Sequence, residues 1–205
     1  MSAAADASPE AVPSPAANSR PVAGSQSVAL VGFMGAGKSS VGRALAARLE
    51  LPFVDCDEVI AREAGPIPDI FADAGEAGFR AVEREVVRRV LAAACERPCV
   101  VALGGGAVLS GDVREALTRL PHVVWLTAPV ADLWRRVSSA GESGRPLAAE
   151  HEAFRALYEE RATLYEEVAD ARVVNDASRD LADVLDEIAT LLAPVAPGVF
   201  AGGLP

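Results

Sequence analysis

The sequence predicts a single α/β domain of three layers, with a five-stranded parallel sheet and helices on both of its faces. Three observations carry this. Short β-branched apolar runs alternate with longer helical patterns, as expected for strands joined by helical crossovers. The 205 residues, 51% of them hydrophobic, suffice for one well-buried core and are few for two. Residues 1–25 and 194–205, rich in Ala, Ser, Pro and Gly and without apolar periodicity, read as disordered tails around one domain over 26–193.

The strand candidates in chain order are Val28 to Phe33, Leu51 to Cys56, Cys99 to Leu103, His122 to Leu126 and Ala171 to Val174. Helical stripes lie between and after them: Val41, Leu45 and Leu49, then Phe79, Val82, Val86 and Val90, and finally Leu181, Leu185, Ile188 and Leu192. These stripes supply the core. Pro66 and Pro68 interrupt the stretch Ala64 to Phe71, which would otherwise run toward a helix.

The first strand leads into Gly32-Phe33-Met34-Gly35-Ala36-Gly37-Lys38-Ser39, a full match to G-x-x-x-x-G-K-[ST], and a helical stripe follows at once. In that context the loop from Gly35 through Ala36 and Gly37 to Ser39 and Ser40 turns backbone N–H groups inward around phosphate oxygens, and the helix adds its positive end. Lys38 would bridge the β- and γ-phosphates, and the Ser39 hydroxyl would coordinate Mg²⁺. Among 19 basic residues Lys38 is the only lysine, so a compact ammonium is singled out at this one position.

At the end of the second strand, Asp55 and Asp57 stand one residue apart, and in an extended segment both carboxylates would leave the same face. Strand ends of an open parallel sheet face the ligand crevice. Asp55 could hold Mg²⁺ through water, while Asp57 orients and deprotonates an acceptor hydroxyl; an Asp-capped turn is the plainer alternative. Gly104-Gly105-Gly106 follows the third strand and would expose backbone N–H groups to a ligand, or form a flexible turn. Arg80, with Glu83 one turn on, and Arg161, between Tyr158 and Tyr165, are suited to grip a carboxylate, although a single Arg is more often a surface or ion-paired residue. From 137 to 149 the chain is small and flexible except for Arg145-Pro146-Leu147, a candidate lid that would bring Arg145 to the γ-phosphate.

A formal charge of −10 argues against a broad nucleic-acid or anionic-membrane surface. No apolar run approaches the ~20 residues of a membrane span, and the start lacks the plan of a secretory signal, so a cytoplasmic enzyme is expected. Cys56, Cys95 and Cys99, with only His122 and His151 as helpers, are too few and too irregularly spaced for a structural zinc site or a disulfide framework.

Taken in order, G-x-x-G-x-G-K-S, F-V-D-C-D, D-I-F-x-x-x-G-E-x-x-F-R-x-x-E, L-G-G-G-A, R-P-L and R-x-x-L-Y resemble the shikimate kinase family from about Val28 to Asn175. The resemblance implies a P-loop kinase fold with a lid. It also implies transfer of the γ-phosphate of ATP, with Mg²⁺, to the 3-hydroxyl of shikimate on the route to chorismate and the aromatic amino acids, by a protein expected to be monomeric. It further assigns Lys38, Ser39 and Asp55 to ATP and metal, Asp57, Gly105 and Gly106 to the shikimate hydroxyls, and Arg80 and Arg161 to its carboxylate. Phe71 and Phe79 would line the ring, Arg136 would pack on adenine, and Arg145 would meet the γ-phosphate. Two rival readings remain: another small-metabolite P-loop kinase, similar to gluconate or nucleoside monophosphate kinases, and a nucleotide-binding module without catalysis.

Overall fold

The computed structural model describes residues 27–139 and 147–192. Five parallel strands form one sheet: β1 (Val28–Val31), β2 (Phe53–Asp55), β3 (Val100–Ala102), β4 (His122–Thr127) and β5 (Ala171–Val174), in spatial order β2-β3-β1-β4-β5. β1 is central, pairing Val28 with Val100 on one side and His122 on the other. Its four residues are all buried, as a strand covered by helices on both faces requires. Seven helices complete the described residues: α1 (Lys38–Leu49), α2 (Cys56–Ala64), α3 (Ile67–Glu96), α4 (Gly111–Leu117), α5 (Val130–Ser139), α6 (Leu147–Val168) and α7 (Leu181–Leu192). None is long and apolar enough to cross a membrane.

Of the apolar stripes read from the sequence, Val41, Leu45 and Ile188 lie inside the main core, Leu49, Val90, Leu185 and Leu192 pack against it, and Leu181 is exposed; Val87, Leu91 and Val184, outside those stripes, are buried with them. β1, β2 and β3 are two or three residues shorter than expected, β4 runs one residue further, to Thr127, and β5 has the expected limits. The largest change is in β2, which stops at Asp55 because the chain turns helical at Cys56.

Pro66 and Pro68 do not prevent a helix; they start one. α2 ends at Ala64, Gly65 takes a positive φ of 95°, and α3 begins at Ile67 with a proline in its first turn, where no backbone N–H is required. α3 is itself broken at Gly75 (φ 67°, ψ −174°). The break explains a contact that a straight helix forbids. Residues eight apart along an α-helix are separated by about 12 Å of rise, yet the Phe71 and Phe79 rings stack with centroids 4.5 Å apart. Gly75 folds the first two turns of α3 back over the rest. Phe79 thereby joins Val59, Ile60 and Val86 in a small second core beside the carboxyl edge of the sheet.

Gly32, where β1 passes into the loop, tests how tightly this edge is built. Its φ is 144°, and a Cβ added there would stand 2.2 Å from the Leu126 carbonyl oxygen on β4. Gly32→Ala combines backbone strain with a backbone clash that no rotamer relieves, so a loss of at least about 3 kcal/mol is expected. Urea unfolding of the variant against the parent measures it, and a loss below about 1 kcal/mol would show that the loop can shift aside.

Candidate active site

The carboxyl ends of β1, β2 and β3 bring three loops together. At the first, α1 starts with Gly37 in the left-handed region (φ 89°), with no side-chain cap and no acidic residue in its first turn. Its leading N–H groups are therefore presented to an anion. The Lys38 ammonium donates to the carbonyls of Gly32 (2.8 Å) and Phe33 (3.1 Å), folded back along its own loop. Burial pushes Lys38 down to about 8, and the nearby carboxylates of Asp57 and Asp55 oppose that shift. Ser39 and Ser40 follow on α1 and are exposed. Two residues outside the motif clamp this loop. The Asn175 amide donates to the Ala36 carbonyl (2.8 Å), and Arg136 donates to the Gly35 carbonyl (3.0 Å) and the Asn175 carbonyl (2.8 Å). The Arg136 guanidinium thus spans the loop and the end of β5.

The second loop corrects one expectation. Asp55 and Asp57 do not leave a common strand face, because the strand ends between them and Asp55 caps α2, its Oδ1 accepting the Asp57 N–H at 3.0 Å. The other oxygen of Asp55 accepts from the Ser39 hydroxyl at 2.6 Å, and the residue is only 8% exposed. Asp55 is thus the deeper carboxylate, facing the phosphate loop. Asp57, on the first turn of α2, opens on the crevice beside Gly104, Glu83 and Arg80. Crowding by protein pushes its carboxyl up, Asp55 adds to the shift, and Lys38 and Arg80 oppose it.

The third loop carries the glycines. None of Gly104, Gly105 and Gly106 needs a positive φ, so flexibility does not explain them. Close approach does: a Cβ on Gly104 would sit 2.7 Å from both an Asp57 and a Glu83 carboxylate oxygen, and one on Gly106 would sit 2.0 Å from an Arg80 nitrogen. Arg80 donates to Glu83 (2.5 Å) and to the exposed Glu76 (3.3 Å), while its Nε is buried without a partner. Burial pushes Glu83 up and Arg80 pulls it back. Arg80 also stands over the Phe79 ring, 5.2 Å from its centroid; Phe79 is buried, whereas Phe71 is 38% exposed. A cleft of about 830 Å³ opens here, lined among others by Arg80, Glu83 and Gly106.

Arg161 is the least ordinary of the basic residues. It is 6% exposed, packs over Phe33 at 5.6 Å, and makes one long hydrogen bond, to the Gly105 carbonyl at 3.4 Å. Its Nε has no partner, and among the described residues no carboxylate lies within ion-pair distance of it. Burying an uncompensated ion costs several kcal/mol, and a ligand anion is the partner that removes the cost. One turn further along α6, Tyr165 is fully buried and donates to the same Gly105 carbonyl. Arg145 lies outside the described residues, between α5, which runs to Ser139, and α6, which starts at Leu147.

Most site residues expected from the sequence therefore meet at one sheet edge. Neither Asn175 nor Tyr165 was given a role, although Tyr165 closes the R-x-x-L-Y motif and its spacing of four from Arg161 puts both on one helix face. Among the described residues no cluster of three or more His, Cys, Asp or Glu side chains forms a metal cage. The Ser39 hydroxyl and the Asp55 carboxylate supply hard oxygen donors, the chemistry Mg²⁺ takes when phosphate oxygens complete its shell.

The lowered Lys38 carries a stability consequence. In the unfolded chain it holds its proton up to about 10.5, in the folded chain only to about 8, so below 8 the fold bears the cost of a buried ammonium. Between those values the unfolded state binds more protons, and the stability of the nucleotide-free protein gains from this group as pH rises. Lys38→Met should therefore melt a few degrees above the parent at pH 7 without nucleotide, with the gap narrowing toward pH 9.5. A gap independent of pH would place Lys38 in solvent, and one that widens with pH would mean that the pull of Asp57 and Asp55 outweighs burial.

The sequence profile of the shikimate kinase family matches residues 34–193. A shikimate kinase of Symbiobacterium thermophilum is 44% identical over 165 residues, 78% of this chain and 92% of that protein. One of Ruegeria pomeroyi is 42% identical over 172 residues, 82% of this chain and 85% of that protein. The solved structure of shikimate kinase from Acinetobacter baumannii in complex with shikimate superposes with a TM-score of 0.73 at 34% identity, covering 82% of this chain and 92% of that one. With a P-loop kinase fold, a complete phosphate loop and these relatives along most of its length, the chain belongs to the shikimate kinase family.

Proposed function

We propose that this chain transfers the γ-phosphate of ATP to the 3-hydroxyl of shikimate. The observation that carries the acceptor's identity is the buried Arg161 without a carboxylate partner among the described residues, set with Arg80 against the same glycine loop. Two guanidinium groups and one carboxylate suit a compact hydroxylated acid; a nucleotide acceptor would need a base-reading pocket instead.

In this reading the phosphate loop, Gly35 to Ser40, cradles the triphosphate, and Lys38 leaves the Gly32 and Phe33 carbonyls for the β- and γ-phosphates. Ser39 and Asp55 would hold Mg²⁺, which when bound offsets phosphate charge. Arg80 and Arg161 hold the acceptor carboxylate, the Gly105–Gly106 backbone and Asp57 hold its hydroxyls, and Phe71 and Phe79 wall its ring. The 3-hydroxyl oxygen forms a bond to the γ-phosphorus as the bond to the β-phosphate bridging oxygen breaks. ADP leaves, and the hydroxyl proton passes to Asp57, whose raised affinity for protons suits that role. Arg136 stacks on adenine from its position beside Gly35, and Arg145 closes on the γ-phosphate.

A coupled ADP-release assay over shikimate, gluconate, AMP and CMP tests the reaction; turnover with shikimate alone is expected. Arg161→Ala should raise the shikimate KM by well over tenfold with the ATP KM little changed, because losing one partner of a charged pair costs about 2–5 kcal/mol. Equal loss for ATP would move Arg161 to the nucleotide side.

The two aspartates should differ in kind. Asp57→Asn is expected to lower kcat by roughly 10²- to 10⁴-fold. Asp55→Asn should show a defect partly rescued by higher Mg²⁺. Metal titrations at saturating substrates separate them, and rescue of Asp57→Asn instead would reverse the roles.

A further inference from the structure

The Gly105–Gly106 peptide is closely surrounded. Its carbonyl oxygen accepts the Tyr165 hydroxyl at 2.5 Å and Arg161 Nη1 at 3.4 Å. The Arg80 guanidinium lies against Gly106 so closely that no Cβ fits. Tyr165 is itself immobilised: it is fully buried, and its ring stacks on Trp125 of β4 with centroids 5.9 Å apart.

Within a trans peptide the C=O and the following N–H point in opposite directions in one plane. Anchoring the Gly105 oxygen on α6 therefore turns the Gly106 N–H away from α6. That N–H is buried and finds no acceptor among the described residues. A buried orphan N–H is rare in a folded protein, and this one borders the cleft lined by Arg80 and Glu83.

We propose that Tyr165 is a positioning residue for the acceptor, its hydroxyl fixing the Gly105–Gly106 peptide so that the Gly106 N–H donates to a ring hydroxyl of shikimate. This rests on the shikimate reading above. Arg161 alone would hold the carbonyl less well, since its contact is long and its charge is drawn toward the ligand carboxylate. The Tyr165 hydroxyl carries no charge for the ligand to draw away, and burial keeps it protonated, a constant donor, throughout the working pH range.

Tyr165→Phe tests the proposal, because it keeps the ring and its stack on Trp125 while removing one hydroxyl. Losing one hydrogen bond of ordinary worth predicts a shikimate KM raised about fivefold, with the ATP KM unchanged. The decisive comparison uses 4-deoxy- and 5-deoxyshikimate, which keep the 3-hydroxyl. With the analogue lacking the hydroxyl that Gly106 reaches, parent and variant should have equal KM, while the other analogue keeps the fivefold gap. An unchanged shikimate KM, a gap equal for every acceptor, or an ATP KM that rises in parallel each overturns the positioning role. A parent protein that releases no ADP with shikimate overturns the shikimate reading as well, so the two failures are told apart.

Discussion

The close approach of three loops at the carboxyl edge of the sheet governs this molecule. Because β3 lies between β2 and β1, the glycine loop that follows it is squeezed between Asp57 and Glu83 on one side and the start of the phosphate loop on the other. At Gly104 and Gly106 the neighbouring charged groups occupy the space a Cβ would need. The donors on the glycine backbone and the charges around them are thus fixed relative to one another by contact. Phosphoryl transfer between two bound substrates depends on that kind of fixed geometry.

The same crowding sets the electrostatics. Lys38, Asp55, Asp57, Arg80, Glu83 and Arg161 share one crevice, so each shifts its neighbours. Asp55 is engaged by Ser39 and the α2 backbone, and Glu83 by Arg80. Lys38 rests on backbone carbonyls, Asp57 faces the opening, and Arg161 has no acidic partner among the described residues. Those last three are the groups to which the proposed reaction assigns phosphate, hydroxyl and carboxylate.

How much of this was legible beforehand depended on sequence distance. The phosphate loop is a local motif whose eight residues and following helix stand together in the chain, so it could be read outright. The five strands were legible because β-branched runs between helical stripes have few other uses. The strand order could not be read, since it depends on which crossovers pack together. Asn175 acts on Ala36 across 139 residues, and Tyr165 on Gly105 across 60, so no local pattern disclosed either contact, although R-x-x-L-Y contains the tyrosine. The Asp55/Asp57 geometry was misread for a local reason: the alternation argument holds only while the strand continues, and the Asp55 cap ends it. The glycines were placed correctly at a strand end, but their reason, the absence of space for a Cβ, exists only once α3 is folded against them.

The only lysine of the chain lies in the phosphate loop, its ammonium turned onto that loop's own carbonyls. The outer surface therefore offers no side-chain amine at all. Acylating reagents and amine-coupling resins, which on most enzymes scatter over many exposed lysines, have a single side-chain target here, and it sits where the triphosphate would lie. Tethering this protein through amines would leave only the α-amino group as an alternative to its own nucleotide pocket, whereas arginine- or carboxylate-directed chemistry would meet a surface full of handles.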